Sequence, residues 1–184
     1  IIWLVKVSRD ILFWVYLWQL KEYRRDRMRA HFELQSARQI FLGKAHIGKV
    51  LLLLSSAFLF WGAWQFFYQI IVSSFYIISG ARSVYLAYKK KIKEPVFTKK
   101  AVLISGLSVI VVLALGLFVY LEASAVTLLF SLVILDVLIP VLVTGIVGIV
   151  KVPGDILKSQ ILERARAKRE ALGDVLFIGV TGSY

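Results

Sequence analysis

Two stretches of this chain carry no lysine or arginine at all: from Val50 to Ala81 and from Ala101 to Val150. Both are almost wholly apolar, and each is bounded by basic residues. Ala101 to Glu122 supplies about the 20 residues that a membrane-spanning helix needs. Glu122-Ala123-Ser124 then makes a short polar break, and Val126 to Val150 supplies a second run, so the pattern predicts a helical hairpin. Its turn carries only Glu122 while both outer flanks are basic, the asymmetry expected when the flanks face the cytoplasm.

The first uncharged stretch divides less clearly. As one straight helix, Val50 to Tyr88 would reach roughly 58 Å, about twice the ~30 Å hydrocarbon core. A second hairpin fits better, one leg ending near Trp64 or Phe66 and the other running from Phe67 to Tyr88, with Gln65, Tyr68 and Gln69 near the turn. One tilted span continuing into an interfacial helix is the rival. Placing the basic segments Lys21–Lys49 and Arg82–Lys100 on one side favours the hairpin.

Ile1 to Leu20 has a different pattern. It contains Lys6, Arg9 and Asp10, each costing about 2.5–3.5 kcal/mol at a bilayer centre. Lys6 and Asp10 are four apart and can pair on one helix face, while Trp3, Leu4, Val7, Ile11, Trp14 and Trp18 recur at helical spacing. This reads as an amphipathic helix lying in the membrane interface, its tryptophans at headgroup depth, with a first span truncated at its start as the alternative.

Composition agrees with a membrane protein. Of 184 residues, 59% are hydrophobic and 18% charged, against about 45–50% and 25% in soluble domains. The net charge of +12 would suggest nucleic acid in a soluble protein, but no nucleic-acid-binding motif accompanies it, and its placement follows the uncharged gaps instead. Cysteine is absent, which excludes disulfides, thiolate metal sites and sulfur nucleophiles.

Asp136 is the first candidate for chemistry, because it stands inside an apolar span ahead of Pro140, and an intramembrane carboxylate needs an explanation. A proton or ion relay would require partners at its depth; a structural carboxylate would be protonated or hydrogen-bonded to a Ser or Tyr. His31 and His46 have no metal-binding spacing and read as surface residues at headgroup level. The Lys89-Lys90-Lys91-Ile92-Lys93 cluster suits anionic lipid headgroups or serves as the topology signal.

After Val152-Pro153-Gly154 the period becomes 3.6, with Ile156, Leu157, Ile161, Leu162 and Ala165 on one side of a basic linker helix that ends near Gly173. Val175 to Val180 is then apolar and β-prone, and Thr181-Gly182-Ser183-Tyr184 follows at once. A strand leading into a glycine-containing turn is how a phosphate-binding loop begins.

Ile178-Gly179-Val180-Thr181-Gly182-Ser183-Tyr184 resembles the start of the ATP-binding loop of Mur ligases, in which Gly-Lys-Thr or Gly-Lys-Ser comes next. The opening Phe13–Arg24 stretch, the segment Pro95–Ala101 and the basic helix before the strand look like the membrane-embedded front end of Mur-ligase-like proteins of small-genome candidate-phylum bacteria, usually labelled UDP-N-acetylmuramoyl-tripeptide:D-alanyl-D-alanine ligases. The resemblance implies an ATP- and Mg2+-dependent amide ligase of peptidoglycan precursor synthesis, with a muramoyl peptide and D-alanyl-D-alanine as substrates. Only Thr181, Gly182, Ser183 and Tyr184 carry over as cofactor-binding residues; the loop lysine, the metal ligands and every catalytic residue would follow Tyr184. Usual Mur ligases place a soluble uridine-nucleotide-binding domain where this chain has spans, which leaves open a lipid-linked precursor or polyglutamate as substrate.

The expected architecture is therefore an all-α helical integral membrane domain with about four transmembrane helices and an N-terminal interfacial helix, ending in the first strand of an α/β nucleotide-binding domain. Its segments are 1–49, interfacial helix and basic cytoplasmic stretch; 50–150, two transmembrane hairpins; 151–174, linker helix; and 175–184, strand and loop start. The chain reads as the inactive N-terminal fragment of a bacterial inner-membrane protein with its C-terminus in the cytoplasm, partnered by the lipid bilayer and anionic headgroups. A small polytopic transporter component or scaffold without a ligase domain is the competing expectation.

Overall fold

The computed structural model describes residues 2–33, 44–56, 62–122 and 124–171. Among them are six α-helices and no strand: α1 Ile2–Leu20, α2 Arg25–Glu33, α3 Lys44–Ser55, α4 Gly62–Tyr88, α5 Lys99–Glu122 and α6 Ala125–Ala171. The chain forms two compact units that divide between Ile149 and Val150.

Three helices are long and apolar enough to cross a membrane: Trp64–Tyr88 in α4, α5, and α6. Their packing argues for lipid as strongly as their composition. α5 leaves Ile110 62%, Phe118 65% and Leu121 71% exposed, far more contiguous apolar surface than a water-soluble monomer tolerates. Ser124 caps α6 by accepting the Thr127 amide at 3.4 Å, and its carbonyl accepts the Leu128 amide.

The first uncharged stretch does form two helices, but not two equal spans. α3 has 12 residues, about 18 Å of helix, short of the ~30 Å core. Gln65, Tyr68 and Gln69, expected at a turn, instead lie within α4. Tyr68 is fully buried and packs with Leu52, Val72, Tyr76 and Val133, which joins α3, α4 and α6 in one core. The Trp64 indole N–H donates to the Ser55 carbonyl at 3.0 Å, tying the start of α4 to the end of α3.

α1 departs most from expectation. It does not lie apart as a surface helix but packs lengthwise in the bundle, against α4 and α5 and along the apolar part of α6. The Trp3 indole donates to the Leu132 carbonyl and the Trp18 indole to Thr144 Oγ1, each at 3.2 Å. Contacts advance together along both helices, so α1 and α6 run in the same direction. The face that enters the bundle holds Lys6, Val7, Ile11, Trp14, Val15 and Trp18. A charged residue on a buried face is tolerated only if its counter-ion is also inside, and that condition is met below.

α1 ends in a reverse turn in which the Tyr23 amide donates to the Trp18 carbonyl and the Glu22 amide to Gln19. α4 ends the same way, with Lys91 donating to Leu86 and Lys90 to Ala87. Such endings put one residue in the left-handed region that favours glycine. Here Glu22 (φ 54°), Tyr23 (φ 55°) and Lys90 (φ 51°) occupy it. Tyr23 is held there by burial and by the Lys100 ammonium, 4.4 Å from its ring centroid. The Gln19 side chain binds Val96 of the 91–98 connector through both its amide nitrogen (2.9 Å) and oxygen (2.8 Å). Thus the segments 13–24 and 95–101 meet each other twice.

In the second unit, α6 continues as helix through Val152-Pro153-Gly154, where a new element was expected to begin. Lys151 pairs with Asp155 at 3.4 Å one turn on. Ile156, Leu157, Ile161 and Leu162, expected on one apolar side, are all exposed. The expected strand and loop, 175–184, lie outside the described residues.

Candidate functional site

Helical spacing places Lys6, Arg9 and Asp10 together on α1, since positions three and four apart share a face. Lys49 comes from α3, Tyr76 from α4 and Asp136 from α6. Lys6 bonds both Asp10 Oδ2, at 3.0 Å, and Asp136 Oδ2. Lys49 reaches the same two carboxylates, Asp136 Oδ1 at 3.0 Å and Asp10 Oδ2 at 3.3 Å. The four side chains close a ring in which lysine and aspartate alternate, two positive and two negative charges. Asp136 is fully buried, and the Lys6 and Lys49 side chains are only 3% and 4% exposed.

The remaining acceptor capacity is also used. The Tyr76 hydroxyl donates to Asp136 Oδ2 at 3.2 Å, and Arg9 donates through Nε and Nη2 to Asp10 Oδ1 at 3.3 and 2.9 Å. A lone carboxylate at this depth would cost several kcal/mol; a ring of zero net charge with its oxygens bonded removes most of that penalty. Because its members come from three helices, with Tyr76 adding a fourth, the ring also fixes their relative register.

Beside the ring opens a cavity of about 390 Å³. Its floor is Lys6, Asp10, Lys49 and Asp136, and its rim carries Arg9, His46, Arg82, Lys91 and Lys93. Trp14, Phe75, Ile139 and Pro140 supply apolar wall.

Asp136 was legible as a candidate, and so was the Lys6–Asp10 pair. The expectation of a hydroxyl partner is met by Tyr76, but Lys49 was read only as the edge of a basic segment. Ser108, on α5, donates to the Ile104 carbonyl of its own helix. A usable signal did exist: an apolar helix carrying unmatched lysine beside a span carrying unmatched aspartate calls for their pairing. The Lys89–Lys93 cluster divides, Lys91 and Lys93 turning to the cavity while Lys89 lies 5.6 Å from the Tyr85 ring. His46 lines the cavity; His31, on α2, has a buried Nε2, and burial followed by the nearby Lys21 lowers its pKa below the usual histidine value. Among the described residues no group of three or more His, Asp or Glu could hold a metal ion. Thr181, Gly182, Ser183 and Tyr184 lie outside the described residues.

No protein family, curated protein or solved structure matches this chain.

Proposed function

We propose that this chain is a membrane-embedded anchoring domain. The observation that carries the reading is the closed Lys6–Asp136–Lys49–Asp10 ring, joined to three helices long and apolar enough to cross a membrane. A ring with every carboxylate oxygen engaged suits a clamp that fixes helix positions more than a carrier, which needs a group that releases its partners as it cycles. In the topology we favour, the basic ends face the cytoplasm of a bacterial cell and α6 leads out on that side.

The cargo we propose is a Mur-type ATP-dependent amide ligase that joins D-alanyl-D-alanine to a muramoyl tripeptide. Its support is the resemblance of the Ile178–Tyr184 motif and of the segments 13–24 and 95–101 to such ligases. Thr181, Gly182, Ser183 and Tyr184 would begin the loop that holds ATP and its Mg2+. A lipid-linked precursor or polyglutamate remains the second substrate reading, favoured by the membrane location itself.

The test uses the natural gene product, tagged and expressed whole. It should stay with membranes through an alkaline carbonate wash, and that membrane fraction should join D-alanyl-D-alanine to muramoyl tripeptide only when ATP is added. Release into the carbonate supernatant would sink the anchor. Membrane retention without ATP-dependent ligation would sink the cargo and leave a polytopic scaffold or transporter component.

A further inference from the structure

The cavity beside the ion ring has charge that its own walls do not balance. Six of its lining residues are cationic (Lys6, Arg9, Lys49, Arg82, Lys91 and Lys93) and two are anionic, Asp10 and Asp136. The ring neutralises itself, which leaves Arg9, Arg82, Lys91 and Lys93. Arg9 is engaged by Asp10. Among the described residues no carboxylate lies within ion-pair distance of Arg82, Lys91 or Lys93, although the three converge on one opening from α4 and the connector that follows it. Cations clustered without counter-ions repel each other, and an anion that enters among them relieves this as well as forming charge-assisted hydrogen bonds.

The rest of the lining narrows the anion's chemistry. Trp14, Phe75, Ile139 and Pro140 give the cavity an apolar side, and its volume of about 390 Å³ falls in the range of small-molecule sites, though at the low end. Such a volume holds a head group and the first units of a chain, not a whole lipid. Arg82 stands two turns before the end of α4, a helix long and apolar enough to cross a membrane, so the opening lies toward one end of a span. Three uncompensated charges match a phosphate monoester or a diphosphate better than the single charge of a glycerophospholipid diester.

We infer that this cavity binds the terminal phosphate or diphosphate of a membrane amphiphile, with Arg82, Lys91 and Lys93 on the phosphate oxygens and the chain lying along Trp14 and Phe75. The inference rests on the membrane reading of the bundle, and it is independent of the ligase reading.

The experiment uses the purified full chain in phosphatidylcholine nanodiscs and measures binding of geranylgeranyl diphosphate by native mass spectrometry. Geranylgeraniol, inorganic diphosphate and phosphatidylglycerol serve as comparison probes. Saturable binding of the lipid diphosphate is expected, with much weaker binding of the three others. Arg82→Gln/Lys93→Gln should weaken it by at least about tenfold, each charge-assisted bond being worth roughly that factor. Lys89→Gln/Lys99→Gln removes the same charge outside the cavity and should change it by less than about threefold. All four side chains are exposed, and monodispersity of each variant checks its fold. Equal losses in the two double variants would mean diffuse surface attraction and overturn the site. Inorganic diphosphate binding as tightly as the lipid would overturn the membrane ligand in favour of a soluble phosphate compound. Phosphatidylglycerol binding as tightly would overturn the multiply charged head. Failure to remain in membranes after carbonate would be read separately, as failure of the anchor.

Discussion

Removing one charge from the ring should be far more damaging than removing two. Asp136→Asn keeps the shape of the side chain but leaves Lys6 and Lys49 sharing Asp10 alone, a buried cluster with two positive charges and one negative. At an effective dielectric near 20, a unit pair at the 3.0 Å separation of Lys49 and Asp136 attracts by about 5 kcal/mol. Much of that offsets the cost of taking both ions out of water, but breaking the pair from one side leaves the partner buried without compensation, which costs about 3–5 kcal/mol. Lys49→Met alone leaves the opposite imbalance and should cost a similar amount. The double variant Lys49→Met/Asp136→Leu leaves the neutral Lys6–Asp10 pair, an apolar contact between α3 and α6, and the Tyr76 hydroxyl without its carboxylate acceptor. It should return to within about 1–2 kcal/mol of the parent, because matched apolar replacement of a buried ion pair is often neutral. Equilibrium unfolding in mixed micelles, followed by tryptophan emission, provides all three values. Additive losses, or an Asp136→Asn variant within about 1 kcal/mol of the parent, would show that the ring does not hold the helices together, since directly coupled sites must deviate from additivity.

Other consequences follow from particular contacts. Glu22→Gly and Lys90→Gly should each stabilise the fold by about 1 kcal/mol, because glycine occupies the left-handed region without the penalty borne by other residues; thermal unfolding of each in detergent checks this, and a loss at both would contradict the helix endings described. Ile110→Arg, near the middle of α5 on an exposed face, should cost about 2.5–3.5 kcal/mol of insertion in a translocon reporter, while Val102→Arg, close to Lys99 and Lys100, should cost much less; equal effects would argue that α5 does not cross a bilayer. Gln19→Ala should leave the Val96 amide without its acceptor and raise its hydrogen-exchange rate roughly fivefold, the equivalent of about 1 kcal/mol for one hydrogen bond. An unchanged rate at Val96 would mean that the 91–98 connector is held by other contacts.

Much of this organisation was written in the pattern of charges. Absence of lysine and arginine from 101–150 is enough to predict helix on both sides of the polar break, since an apolar run can satisfy its backbone in lipid only as helix, and Ser124 caps the second helix as its position suggests. Local rules also gave the Lys6–Asp10 pairing, because spacing along one helix decides it. What α1 does with that face was not local. Its tryptophans and charges suit an interface equally well, and only the presence of Asp136 and Lys49 at the matching depth draws the helix into the bundle. The division of 50–88 into a short helix and a long one has the same origin: Tyr68 lies in a polar-looking stretch, yet it is buried by Leu52 and Val133 from two other helices. Apolar runs and helix spacing are properties of neighbouring residues and can be read along the chain. Closing a ring between residues 6, 49 and 136, and gathering Arg82, Lys91 and Lys93 around the cavity beside it, depends on the relative register of whole helices, which only the tertiary packing sets.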